Sequence, residues 1–247
     1  MPAAPAQKNS PANAEVIIES LRDAFEHENT KGVVLRINSP GGSPVQSDYV
    51  YKEIRRLRSE HPEIPVYAVI VDIGASGAYY IASAADAIYA NPASIVGSIG
   101  VLMNSFGFVE SMDKLGVERR LYTAGRSKAF LDPFSPTDEE SKEHIQVMLD
   151  NIHQQFISAV KEGRGDRLSE DEELFSGLVW TGEKAEELGL VDGMGDTDYV
   201  ARDLIEAEEV VDFTRKPDLF KRFADSIGVS MARVLAEKIG LQGPELR

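Results

Sequence analysis

Ser76 lies in Gly74-Ala75-Ser76-Gly77-Ala78, a cluster of tiny residues between two unlike stretches. Before it runs Val66 to Val71, apolar and β-branched, with the length of a buried strand. After it comes Tyr79-Tyr80-Ile81-Ala82-Ser83-Ala84-Ala85, small and helix-compatible. A strand, a tight turn and a helix put the serine hydroxyl at a bend, facing a cleft. The backbone N–H groups that follow lie at a helix N-terminus. An exposed Oγ and nearby donors for a developing oxyanion are what a serine nucleophile needs. The same small residues also serve where a helix packs closely on a sheet, so the turn by itself leaves both readings open.

A nucleophilic serine needs a base. The histidines are His27, His61, His144 and His153. His27 and His61 stand among charges and turn residues. His144 and His153 are nine apart on one expected helix, about half a revolution from each other. All four read as solvated. The chain has no cysteine, which excludes a thiol nucleophile, a disulfide scaffold and thiolate-bound zinc. Lysine is the remaining route, and Lys128 stands in the small-residue loop Ala124-Gly125-Arg126-Ser127-Lys128, ahead of Ala129-Phe130-Leu131. To take a proton it must be neutral, and lowering a lysine from ~10.4 to ~7.5 costs about 4 kcal/mol. Burial against Phe130 and repulsion from Arg126 push that way, whereas the overall negative charge opposes it. From its own residues the loop is equally compatible with an exposed surface lysine.

The 247 residues suffice for one large α/β domain or two small ones, and 43% are hydrophobic, enough for a sizeable core. With 41 acidic against 26 basic residues the net charge is -15, which argues against nucleic acid as a partner. No apolar run approaches the roughly 20 residues of a membrane span. Residues 1–13 are rich in Pro and Ala and lack the basic start and apolar middle of a signal peptide; they read as a disordered leader or a trimmed boundary. Asn13 and its neighbours cap a first helix to His27, and Val33–Ile37 reads as a strand. Asn38 to Pro44 is a dense turn, and a helix spans about Val45 to Ser59. Both Gly-rich turns thus follow a strand and open a helix, the edge where open α/β sheets bind ligands.

Further on, Asp86–Asn91 is a short strand and turn, Phe106–Leu115 a helix, and the alternating Val117–Thr123 a strand. Thr137 to Glu140 reads as a capping box for a long helix bearing Ile145, Met148, Leu149, Ile152, Phe156 and Val160 on one face. Residues 215–247 form an amphipathic helical tail that could cap the domain or dock on a neighbouring subunit. Arg164-Gly165-Asp166 is a chance tripeptide, and the acidic runs 138–140 and 170–173 are solvated faces. Asp192 and Asp196 lack further metal-ligand spacing, so neither metal nor cofactor is expected. Trp180 reads as a wall.

Five pieces occur in one order: Asn38-Ser39-Pro40-Gly41-Gly42; Ala75 to Ile81; Gly97-Ser98-Ile99-Gly100-Val101; Ala124 to Lys128; and Trp180-Thr181-Gly182 leading to Leu188-Gly189-Leu190-Val191-Asp192. Together they resemble the signal peptide peptidase A (protease IV) family in its short single-domain form, over residues 14 to about 200. The resemblance implies a Clp-protease/crotonase-like α/β fold, a spiral of ββα units, over residues 14–214 with the helical extension after it. It implies a Ser/Lys dyad with Ser76 as nucleophile, Lys128 as general base and Ser98 as the lysine's partner. Gly41 and Gly42, with Gly77, would be the oxyanion donors.

It further implies a cofactor-free endopeptidase acting on cleaved signal peptides and other apolar membrane-derived peptides. The family works at the cell membrane on the extracytoplasmic side, held by an N-terminal anchor that these residues do not contain. Its short members form rings in which adjacent subunits complete each site. Ala78 and Ala129 depart from the family's usual Gly and Asp. The competing readings are a crotonase-like acyl-CoA enzyme and a non-catalytic peptide-binding scaffold.

Overall fold

A computed structural model describes residues 13–215. The chain divides into two compact units. One holds, among the described residues, 13–24 and 211–215. Within it Asn13 caps α1 (Ala14–Glu26) by accepting the N–H of Glu15 at 2.9 Å, and Arg215 pairs with Glu19 and Asp23. The expected leader and helical extension fall almost wholly outside the described residues.

The other unit, residues 25–210, is mixed α/β and is built on one strand, β2 (Val66–Ala75). Its β-branched first half is buried on both faces, as a parallel core strand requires. Along one edge β1 (Val33–Ser39) runs parallel, from Val33 opposite Val66 to Ile37 opposite Ile70; after a register shift, Ser39 faces Gly74. The other edge is shared end to end. First β3 (Ala87–Ala90) pairs with residues 67–70, then β4 (Ile95–Gly97) pairs with residues 73–75. The sheet therefore divides beyond Ile70. One arm continues from β3 to β6 (Gly193–Met194), the other from β4 to the antiparallel β5 (Val179–Thr181).

The helices pack by their apolar spacing. α2 (Pro44–Glu60) opens on a proline, which suits a first helical turn, and buries Val50, Tyr51, Ile54 and Leu57. α3 (Gly77–Ala82) follows β2 directly and is buried except at Ile81. Tyr80 of α3 stacks on Phe156 of α5 (Glu139–Arg164) at 4.9 Å between ring centroids. Gly163 brings α5 against α3's end: a methyl there would lie 1.9 Å from the Ser83 carbonyl oxygen. Short helices α4 (Val109–Leu115), α6 (Gly182–Glu187) and α7 (Thr197–Tyr199) complete the unit.

Two expectations are corrected. Val117–Thr123 is not a strand: the segment is exposed and no described strand lies beside it, so its alternation has no sheet to bury against. The long helix is capped by Asp138, not Thr137; the Asp138 carboxylate accepts from the N–H and the hydroxyl of Ser141, each at 2.8 Å. One wider feature stands out. From Val101 to Gln155 no residue is buried, although Leu102, Phe106, Leu115 and Tyr122 are all more than three-quarters exposed.

Candidate active site

Ser76 is the joint between β2 and α3. Its backbone is left-handed in φ, at +52° with ψ -125°, a conformation that costs a non-glycine residue roughly 1–3 kcal/mol and persists only where its surroundings impose it. Two hydrogen bonds impose it: the Ser76 N–H donates to Gly97 O at 2.8 Å, and Ser76 O accepts from the Tyr80 N–H at 2.9 Å. The side chain is half-buried, and among the described residues its Oγ has no hydrogen-bond partner. The turn expected from sequence is thus a strained elbow that presents a hydroxyl.

The 38–44 turn closes on this elbow through Gly41, packed against Gly77, two positions with no room for a side chain. Gly41 has φ +109°, and a methyl on it would lie 2.8 Å from Gly77 N and 2.9 Å from Ser76 Cβ. A methyl on Gly77 would lie 2.5 Å from Ser47 Oγ and 3.1 Å from Gly42 N. The three glycines therefore meet at Ser76. Their N–H groups are not equivalent. That of Gly41 donates to Ser39 Oγ at 3.2 Å. Those of Gly42 and Gly77 have no acceptor among the described residues. Gly41 supplies the close approach, and the two free donors lie either side of it.

This geometry gives a prediction. Gly41→Ala forces a strained φ and a backbone clash, and moves both free donors relative to Ser76. Displacing one such donor costs about 10²–10³ in rate, so Ser76 reactivity toward an acylating probe should fall by about that factor, with a lower Tm. Gly42→Ala meets open space and should leave Tm unchanged. Equal Tm values for both variants would contradict the packing described.

Ser98 occupies a second strained turn. Gly97 has φ +104° and Ser98 φ +53°; the Ser98 N–H donates to Leu178 O at 2.7 Å, and the Gly100 N–H to Ser98 O at 2.9 Å. Since Gly97 O receives the Ser76 N–H, the Ser98 turn and the Ser76 elbow are joined directly. Trp180 backs the turn: a methyl on Gly97 would lie 3.0 Å from its Cδ1. The turn has one side-chain hydrogen bond that the sequence did not reveal, from His153 Nε2 to Ile99 O at 3.0 Å. A carbonyl only accepts, so Nε2 carries the hydrogen. His153 is accordingly not a solvated histidine. The available signal was its place four residues after Leu149 and three before Phe156, on the apolar side of the helix.

Lys128 is exposed and sits in a turn closed by its own N–H to Gly125 O at 3.1 Å. No hydrogen bond joins it to Ser76 or Ser98 within the chain. Its neighbours lean on α5: Arg126 pairs with Glu140 at 2.6 Å, and the Phe130 ring lies 5.9 Å from that of His144. The Ser98 turn touches the same helix at His153, 13 residues beyond Glu140 (153 − 140), or about 20 Å along the axis. The structure thus gathers Gly41, Gly42, Ser76, Gly77 and Ser98 in one place and holds the Lys128 loop elsewhere along α5.

The last motif is structural. Arg164, 1% exposed, grips both Asp192 oxygens at 2.6 and 3.0 Å and donates through Nε to Gly189 O. Asp192 also accepts the Ile88 N–H at 2.7 Å. Beside it, Leu190 O accepts from the hydroxyl of fully buried Tyr79, in the first turn of α3. Burial pushes the Tyr79 phenol up, so it stays a donor. The open cavity lined by Arg36, Asp72, Ser94 and Asp198 includes none of the residues around Ser76.

Known proteins resemble this chain over much of its length. Residues 58–211 match the model of peptidase family S49. A Brucella melitensis protein named as the Na(+)/H(+) antiporter NhaA is 51% identical over 176 residues, 71% of this chain and 24% of the relative. An Enterococcus faecium protein provisionally named signal peptide peptidase SppA is 31% identical over 202 residues, 82% of this chain and 58% of that protein. The chloroplastic serine protease SPPA of Arabidopsis thaliana is 33% identical over 183 residues, 74% of this chain and 27% of that protein. The chain therefore spans between a quarter and three-fifths of the length of these relatives. Among the described residues no helix is long and apolar enough to cross a membrane.

Proposed function

The chain belongs to peptidase family S49, and from that premise we propose that it is a serine endopeptidase with a Ser76/Lys128 dyad. The observation that carries this is the Ser76 elbow: an unbonded Oγ beside two acceptor-free backbone donors. Neutral Lys128 takes the Ser76 proton as Oγ attacks the peptide carbonyl. The N–H groups of Gly42 and Gly77 stabilise the oxyanion, with Gly41 shaping the turn that brings them together. The bond to the amine then breaks, Lys128 returns the proton to it, and water hydrolyses the acyl-enzyme. Ser98 holds the lysine amine toward Ser76. Every step uses only side chains, backbone N–H groups and water, so the reaction needs no cofactor.

The dyad is completed between subunits of a homo-oligomeric ring. Supporting this are the anchoring of the Lys128 loop on α5 away from the His153 contact to the Ser98 turn, and the segment 101–155, in which no residue is buried and Leu102, Phe106, Leu115 and Tyr122 are exposed. A sheet that divides at β2 is in keeping with the Clp-protease/crotonase-like spiral. Substrates are apolar peptides, remnant signal peptides foremost, met on the extracytoplasmic side of the membrane; the name of the Enterococcus relative supports that substrate class.

Fluorophosphonate labelling tests the reading. The adduct should map by mass spectrometry to Ser76, vanish in Ser76→Ala and be lost in Lys128→Ala. A label on another serine, or none on the assembled protein, would remove the peptidase assignment and favour a peptide-binding scaffold.

A further inference from the structure

We propose that His153 is a positioning residue for the Ser98 turn and, through Gly97, for Ser76; the proposal rests on the Ser76/Lys128 reading. The Ser98 turn is held in two consecutive left-handed φ angles, +104° at Gly97 and +53° at Ser98. Such a turn survives only when its surroundings fix it. Backbone contacts fix residues 97, 98 and 100: the Gly97 carbonyl by Ser76, the Ser98 N–H by Leu178, and the Gly100 N–H by Ser98. The Ile99 carbonyl is held by His153, at 3.0 Å. Ile99 is completely buried, so without His153 its carbonyl has no water to turn to, and the turn must rearrange to satisfy it.

The position of His153 on α5 gives the contact a second meaning. No residue from 101 to 155 is buried, and Phe156 is the first that is. His153 is therefore where the exposed length of α5 first grips the core. The same helix, near its start, carries the Arg126–Glu140 and Phe130–His144 contacts that flank Lys128. α5 thus links the lysine-bearing loop to the Ser98 turn, and the His153 hydrogen bond is its attachment at the Ser98 end. His153 touches neither substrate nor the reacting atoms, so it acts by geometry alone.

The test uses the full chain in its assembled state and compares wild type with His153→Gln and His153→Met. These variants match in length and flexibility, but only glutamine has an N–H able to reach Ile99 O. Acylation rate at Ser76 by a fluorophosphonate, kcat and KM on an apolar peptide, and Tm are measured. His153→Met should lower acylation rate and kcat about tenfold or more with little change in KM, the pattern of a misplaced reacting group. His153→Gln should return both to within about threefold of wild type. A His153→Met variant that reacts at the wild-type rate, or a glutamine variant as slow as it, overturns the proposal. Should His153→Met not fold, amide exchange over residues 97–101 in His153→Gln and His153→Leu decides: protection kept in glutamine and lost in leucine upholds the hydrogen bond, equal protection in both refutes it. Failure of wild type to label at Ser76 would defeat the dyad reading itself, whereas labelled wild type with an indifferent His153→Met defeats only this inference.

Discussion

Ser76→Ala protein and Lys128→Ala protein, each inactive alone, should recover about a quarter of wild-type activity when dissociated, mixed in equal amounts and reassembled. Each variant lacks one half of a unit that works only as a pair, and loss of a nucleophile or its base commonly costs about 10⁴–10⁶ in kcat. In a ring where each site takes its serine from one chain and its lysine from the next, random mixing pairs an intact serine with an intact lysine at ½ × ½ of the junctions. If the dyad formed within one chain, no chain in the mixture would hold both groups and the activity would stay at background. The two outcomes differ by orders of magnitude, so a fluorogenic peptide assay separates them. The expectation comes from α5: the two contacts flanking Lys128, at Glu140 and His144, lie about 20 and about 14 Å along one helix from the His153 contact to the Ser98 turn. A lysine side chain cannot close that gap.

What the sequence revealed of this site, and what it hid, divides along a physical line. The Ser76 elbow was legible because a β-branched run, a string of tiny residues and a helix-compatible stretch are local signals, and β2, the elbow and α3 follow in that order. The glycine turn was legible as a turn, but the division of labour within it was not. Gly41 spends its N–H on Ser39 Oγ, a contact two residues away that no spacing rule distinguishes from a free donor. His153 was misjudged because its partner, the Ile99 carbonyl, is 54 residues distant and is a backbone atom without a sequence signature. The alternation at Val117–Thr123 was misjudged for the opposite reason. Period-two patterning implies a strand only where a sheet edge waits for it, and none does here. The Leu188–Asp192 motif was visible as a motif but silent as to role, since the guanidinium partners of Asp192, Arg164 and Arg167, lie 28 and 25 residues away in sequence.

That role carries the second large effect. Asp192→Ala should destabilise the fold by about 3–5 kcal/mol, because it leaves the Arg164 guanidinium buried without its counter-charge. The lower end is favoured, since Arg164 Nε keeps Gly189 O and Arg167 is half-exposed. At roughly 2–4 °C per kcal/mol for a chain of this size, Tm should drop by about 6–20 °C. Burial by itself pushes the Asp192 carboxyl up, but the hydrogen bonds and charge of Arg164, with the Ile88 N–H and Arg167, outweigh it and hold the group below the usual carboxylate range. A carboxylate depressed in the folded state contributes stability that is complete above its unfolded value near 3.9 and is lost as pH falls through the folded one. Wild type should therefore lose Tm faster than Asp192→Ala as pH falls below about 4, and the two melting curves should converge in acid. Replacing both partners, Arg164→Met with Asp192→Leu, should recover much of the loss, because an apolar pair leaves no orphaned charge. A single variant within about 2 °C of wild type at neutral pH would mean the ion pair is incidental. In that case the Leu190 carbonyl that receives the Tyr79 hydroxyl, and so the start of α3 behind Ser76, must be held by packing instead.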